Sequence, residues 1–171
     1  MQLLTYTDFA LRALIYVGSH PVEPVPASAI AHAYDISSDH VAKATKALTR
    51  AGLLRATRGA GGGVVLAKPA EDINLGAVVR LFERGRGLVE CFGPGASTCR
   101  ITPSCQLRHA LKEAESAFYA VLDRYTLADV IENRPQLARL LRIPTAGAAG
   151  SARAPHKQRR ASVASTTHPG A

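Results

Sequence analysis

Tryptophan is absent from this chain, methionine occurs once, and four phenylalanines and five tyrosines complete its large aromatic side chains. With hydrophobic residues at 47% of 171 a core can still form, but it must be mostly aliphatic. Long apolar runs are missing too: none approaches the roughly 18 residues needed to cross a bilayer. The N-terminus lacks the basic start of an export signal, and Asp8 and Arg12 interrupt its apolar stretch. A cytoplasmic protein with no membrane partner is therefore expected. Cysteine is scarce, and its three copies, an odd number, argue against a disulfide framework and for a reducing compartment. No carboxylate pair is placed for acid–base work and the six histidines are scattered, so the chain does not read as an enzyme.

Acidic residues are outnumbered, 13 against 21 Lys and Arg, for a formal net charge of +8. That balance favours a polyanionic partner. Half of it lies beyond Pro144, where Arg153, Lys157, Arg159 and Arg160 are the only charged residues. Residues 143–171 are otherwise mostly Ala, Gly, Ser, Thr and Pro, the composition of a disordered basic tail. Such a tail would add salt-sensitive affinity for nucleic acid without sequence preference.

Residues 1–83 are patterned as a DNA-binding domain. Phe9, Ala10, Ala13, Leu14 and Val17 recur at helical spacing from about Thr7 to Ser19, before Pro21 and Pro24 end the pattern. Pro26 suits the start of a second helix, Ala27 to Tyr34. Ser38 or Asp39 is placed to cap a third, which Gly52 stops. Two short apolar strands around Gly59-Ala60-Gly61-Gly62-Gly63 read as a hairpin, and a short helix over Leu75–Glu83 follows. This is the order of a winged helix-turn-helix, mainly α with a small β-hairpin wing.

In that fold the second of the paired helices enters the major groove of double-stranded DNA. At about 100° per residue, Lys43, Lys46 and Arg50 share one sector of the third helix, and Val41, Ala44 and Leu48 share another. Basic residues on a lone helix are most often a solvated face. Here the helix follows the right turn and precedes a wing, which decides for DNA. Ser37, Ser38 and His40 at its leading end are placed to hold phosphates or touch bases, with Ser28 on the preceding helix beside them. Arg55, Arg58 and Gly59 complete the candidate interface from the wing.

The three cysteines fall together. Cys91, Cys99 and Cys105 lie within CFGPGASTCRITPSC, in a loop over residues 84–106. Thiolates on one flexible loop suit a soft metal or an iron–sulfur cluster. Structural zinc takes four ligands, commonly in close pairs, whereas the gaps here are seven and five residues. A thiol switch uses two cysteines and leaves the third unexplained. Three cysteines and one ligand from elsewhere suit a labile cluster, with His109 as a reserve. After the loop, Leu107, Leu111, Ala114, Phe118, Val121 and Tyr125 step by four, three, four, three and four. That heptad seam makes residues 107–142 a dimerisation region, centred on a long helix.

These segments together resemble a known family. LLTYTDFALRALIYV, the helix-turn-helix, RGAGGGVVLAKP, LVECF, CRITPSCQL and AFYAVLDRYTLADV occur in order across Met1 to Arg142. They look like the Rrf2 family of winged-helix regulators, and more narrowly its NsrR branch of nitric-oxide-sensing repressors. The resemblance implies a homodimeric transcriptional repressor of nitric oxide detoxification and nitrosative stress genes, with an iron–sulfur cluster, 2Fe–2S or 4Fe–4S, in each protomer. Cys91, Cys99 and Cys105 match the family's cysteine ligands. Asp8 matches a position that would supply a fourth ligand from the other subunit, where a weakly held iron offers nitric oxide a point of attack. A two-fold dimer predicts a palindromic operator with half-sites about 34–36 Å apart. Two alternatives stay open: a same-fold regulator sensing cluster supply or redox state, and a helix-dipole role for Asp8. The chain departs from the family in having Val64 where members often carry an aromatic residue, and in its longer first cysteine gap.

Overall fold

The computed structural model describes residues 2–20, 23–59, 61–93, 95 and 97–143. The basic tail expected beyond Ile143 lies outside them. Three helices, α1 (Thr5–Ser19), α2 (Ala27–Tyr34) and α3 (Ser38–Arg50), precede an antiparallel hairpin of β1 (Leu54–Thr57) and β2 (Gly63–Leu66). The α2 bounds agree with the sequence pattern. The start of α1 and the cap of α3 do not, for identifiable reasons. α1 begins at Thr5 because the Glu83 carboxylate accepts from Leu4 N–H at 2.9 Å and from the Thr7 hydroxyl at 2.5 Å, capping that end from 79 and 76 residues away. The N-cap of α3 is Ser37, neither Ser38 nor Asp39. It makes no side-chain cap bond, and its carbonyl accepts from Val41 N–H.

Leu54 faces Leu66 and Thr57 faces Gly63 across the hairpin. Val64 exchanges hydrogen bonds of 2.9 and 2.8 Å with Val25, pinning the wing to the chain before α2. Only glycine allows this approach at position 63, where a Cβ would stand 2.5 Å from the Val25 backbone. Gly59, at φ +106, turns the tip. Beneath the hairpin, Leu14, Ile30, Val41, Leu48 and Leu54 are fully buried, and Tyr16 is the one aromatic among the described buried hydrophobic residues. The core is aliphatic, as the composition requires.

α4 (Leu75–Phe82) is capped by Asn74, whose Oδ1 accepts from Ala77 N–H at 2.9 Å. The segment after the cysteine loop divides into α5 (Gln106–Leu122), α6 (Leu127–Val130) and α7 (Arg134–Leu140). α5 stops before Tyr125, the last residue of the heptad seam. The start of α4 holds the chain there: Asn74 Nδ2 donates to Asp123 O at 2.7 Å, Arg80 makes two bonds of 2.5 and 2.6 Å to the Asp123 carboxylate, and Leu75 N–H donates to Tyr125 O. The Arg80 hydrogen bond holds the Asp123 carboxyl below its ordinary range, so this clasp stands at neutral pH and weakens as pH falls through that lowered value.

Beyond the clasp, a capping box of Thr126 and Asp129 starts α6, which packs on α1 and buries Leu127 and Ile131 completely. Residues 127–143 thus join the core of the winged domain. A Cβ at Gly18 would stand 3.0 Å from Ile131 Cδ1 and 3.3 Å from Leu127 Cδ2. Gly18→Leu should cost about 1–3 kcal/mol in denaturant unfolding through overpacking. A variant as stable as the parent would mean that this contact is slack. α5 is the contrast: none of its residues is buried, and Leu107 and Val121 are 65% and 44% exposed.

Candidate functional site

Along α3 the two sectors separate cleanly. Val41, Ala44 and Leu48 are fully buried against the domain, while Lys43, Lys46 and Arg50 are exposed. Thr45 also points inward and returns its hydroxyl to Val41 O at 3.0 Å. Ser37, Ser38 and His40 are exposed at the leading end, and Ser28 is exposed on α2. His40 lies against Phe9 of α1, ring centroids 5.6 Å apart. Arg58 and Gly59 stand at the wing tip. Arg55 does not: it faces Val65 in mid-strand and lines a 390 Å³ cavity with His20, Glu23, Glu71 and Arg134. Strand alternation, not closeness to the glycine run, sets where Arg55 points.

Asp8 occupies the first turn of α1, partly exposed, with Oδ2 2.9 Å from Arg12 Nη2. Arg12 in turn covers the Tyr34 ring at 5.5 Å. Burial pushes the Tyr34 phenol up to about 12, so that ring stays neutral. Asp8 therefore has a charged partner on its own helix, held in a solvated pair of modest strength.

The three cysteines are free thiols, Cys99 exposed and Cys91 and Cys105 half-buried. Cys91 sits in a short turn over Glu90–Phe92. The Glu90 carboxylate accepts from Thr98 N–H at 2.6 Å and from the Thr98 hydroxyl at 3.2 Å. Thr102 donates its hydroxyl to Cys99 O at 2.8 Å. Cys105 is the N-cap of α5, and its sulfur accepts from Arg108 N–H at 3.4 Å. Among the described residues, no group of three or more His, Cys, Asp or Glu is gathered to hold a metal. The loop's own hydrogen bonds set another arrangement.

The donor set still fits an iron–sulfur cluster in kind. Three unoxidised thiols share one loop, and positive charge surrounds two of them. Cys91 lines a 300 Å³ cavity with Phe92, Arg108, His109 and Lys112. Cys105 sits at the N-terminus of a 17-residue helix. Both environments complement the negative charge of thiolate-bound iron. His109, the reserve ligand, is exposed beside Cys91.

Two residues at this end of the domain escape sequence reasoning. Glu83 caps α1, and Tyr6 of α1 donates its hydroxyl to Lys43 O of α3 at 2.8 Å. No local periodicity announces either contact, because both join segments far apart in the chain.

Residues 3–133 match the Rrf2 family model, described as an iron-dependent transcriptional regulator. The HTH-type transcriptional regulator NsrR of Oceanobacillus iheyensis is 42% identical over 144 residues, 84% of this chain and 98% of that protein. Its counterpart in Geobacillus kaustophilus is 45% identical over 143 residues, covering 83% and 97%. The solved structure of T. potens IscR matches with a TM-score of 0.64 at 22% identity, covering 80% of this chain and 90% of that one. That likeness is one of fold.

Proposed function

This chain belongs to the Rrf2 family as an NsrR-like transcriptional regulator, and on that premise we propose that it is a homodimeric repressor which holds an iron–sulfur cluster and leaves its operator when nitric oxide arrives. One observation carries the reading. A basic, exposed recognition helix and three free thiols occur in one chain, and the loop bearing the thiols joins the DNA-binding domain to an amphipathic helix whose apolar stripe is exposed.

Cys91, Cys99 and Cys105 would hold the cluster, and Asp8, reaching from the second subunit, would complete it. A bound cluster would supply iron open to attack by nitric oxide. The rest is done by the chain. Asp8 can exchange Arg12 for a metal at small cost, because the pair it leaves is solvated. Two α5 helices meeting along their apolar seams would set the spacing of the α3 helices, which must enter the groove together. Taking operator occupancy from 99% to 1% needs about 5.5 kcal/mol, within reach of losing several contacts per half-site.

On the DNA, Lys43, Lys46 and Arg50 would meet phosphates or bases, Ser28, Ser37, Ser38 and His40 would fix the helix end, and Arg58 and Gly59 would approach with the wing. Arg55, in mid-strand, is the weakest member of the set. If Lys46 meets one phosphate, Lys46→Ala should weaken binding to all sequences alike and flatten the slope of log affinity against log salt by about 0.9. A shifted base preference at unchanged slope would make Lys46 a base reader.

The signal is tested by comparing operator release by nitric oxide, oxygen and a redox dye on the anaerobic protein. Release at stoichiometric nitric oxide, with oxygen and the dye needed in excess, is the expected result. Release by the dye alone would turn the reading to a redox sensor.

A further inference from the structure

We propose that Tyr6 is the positioning residue that carries the state of the first turn of α1 to the recognition helix. The proposal rests on the regulatory reading above and names the part that transmits it.

Tyr6 and Asp8 are two residues apart on one helix, so they point about 200° apart around its axis. The structure uses that separation. Asp8 lies outward with Arg12, 2.9 Å away, on the side open to solvent. Tyr6 lies toward α3 and α4, half-buried, where its hydroxyl donates to Lys43 O at 2.8 Å in a solvent-exposed bond and its ring meets Phe82 edge-on, centroids 5.3 Å apart. Phe82 ends α4 next to Glu83, the residue that caps α1 through Leu4 and Thr7. One turn further, Phe9 touches His40 at the start of α3. The first turn of α1 is thereby held to α4 at one end and to α3 along its inner face.

The hydroxyl is the informative group. A phenylalanine would pack on Phe82 equally well, so the ring contact does not call for a tyrosine. What the oxygen adds is a directional bond to the backbone midway along α3. Apolar contacts tolerate sliding, whereas a hydrogen bond of this length weakens steeply with misalignment. Beside the packing of Val41, Ala44 and Leu48, a bond to the Lys43 carbonyl therefore adds a directional restraint on the rotation of α3 about its own axis, and with it on the direction of Lys43, Lys46 and Arg50. When Asp8 exchanges Arg12 for another partner and α1 shifts, Tyr6 moves as part of the same rigid turn.

Tyr6→Phe tests this, since it keeps the ring and removes the bond. Operator affinity is measured for the iron-loaded and iron-free full chain, parent and variant. The expected result is a ratio of loaded to free affinity about fivefold smaller in the variant, the weight of one ordinary hydrogen bond, with the visible absorption of the loaded protein unchanged. An equal loss in both forms, leaving the ratio intact, would overturn the proposal and make Tyr6 a plain packing residue. A ratio near one in the parent would count against the regulatory reading itself.

A second arm then decides the link without iron. Amide hydrogen exchange over residues 38–50 is compared in the iron-free parent, Asp8→Ala, Tyr6→Phe and the double variant. Asp8→Ala should alter exchange in α3 when Tyr6 is present and leave it unaltered in the Tyr6→Phe background. Additive effects, or no effect of Asp8→Ala in the parent background, would overturn the proposal.

Discussion

Cys99→Ser is expected to give a folded, colourless protein that binds its operator on the order of 10²-fold or more weakly, toward the roughly 10⁴-fold span between 99% and 1% occupancy. It should also be indifferent to nitric oxide. Cys99 suits this test because its thiol does no work in the fold. It is exposed, and the hydrogen bonds at this residue run through its backbone, from its N–H to Ser97 Oγ at 3.2 Å and to its carbonyl from Thr102. Serine keeps those bonds and removes the soft donor that iron–sulfur chemistry requires. Cys105 would be a poorer choice, since its sulfur caps α5 and a change there mixes helix stability with ligation. Anaerobic absorption spectra and operator titrations with and without nitric oxide give the readout. A Cys99→Ser protein that is coloured and still responsive would remove Cys99 from the ligand set. Unaltered regulation without colour would favour a DNA-binding protein that needs no cluster.

The second large effect is expected on α5. Leu107→Glu combined with Val121→Glu should leave each chain folded and convert a dimer to monomers. Both positions are exposed in the single chain, and glutamate is a good helix former, so monomer stability should change little. In a seam between two copies the same glutamates would face apolar side chains and one another. Operator affinity should fall by about 10²–10⁴-fold, the advantage of engaging two half-sites through one linked molecule. Sedimentation and operator titration of one preparation check both halves of this expectation. A variant that stays dimeric would place the interface elsewhere and leave the α5 stripe unexplained.

How much of this could be read in advance depended on how local each determinant is. The α2 bounds, the split of α3 into buried and basic sectors, and the place of the wing follow from periodicity and turn residues within a few positions. The start of α1 and the end of α5 do not. One is set by Glu83 reaching back to Leu4, the other by Asn74 and Arg80 gripping Asp123. The return of residues 127–143 to α1 was hidden for a related reason. Leu127 and Ile131 form too short a pattern to announce which surface buries them, and Gly18, which makes room for them, reads locally as a neutral residue in a helix. At the candidate site, residue types were legible and arrangement was not. The count and spacing of cysteines point to soft-metal chemistry, but Glu90, Thr98 and Thr102 decide how the loop lies. Arg55 flanks the glycine run in sequence, but the strand register sets it in mid-strand opposite Val65.

The measurement that bears most directly on the account is a nitric oxide titration of anaerobically isolated protein bound to its operator, with visible absorption and operator occupancy recorded on the same sample. A coloured protein whose absorption and occupancy fall together, complete at a few nitric oxide per cluster, is the predicted result. A colourless protein holding the operator at full affinity, or a bleached one that never lets go, would contradict it.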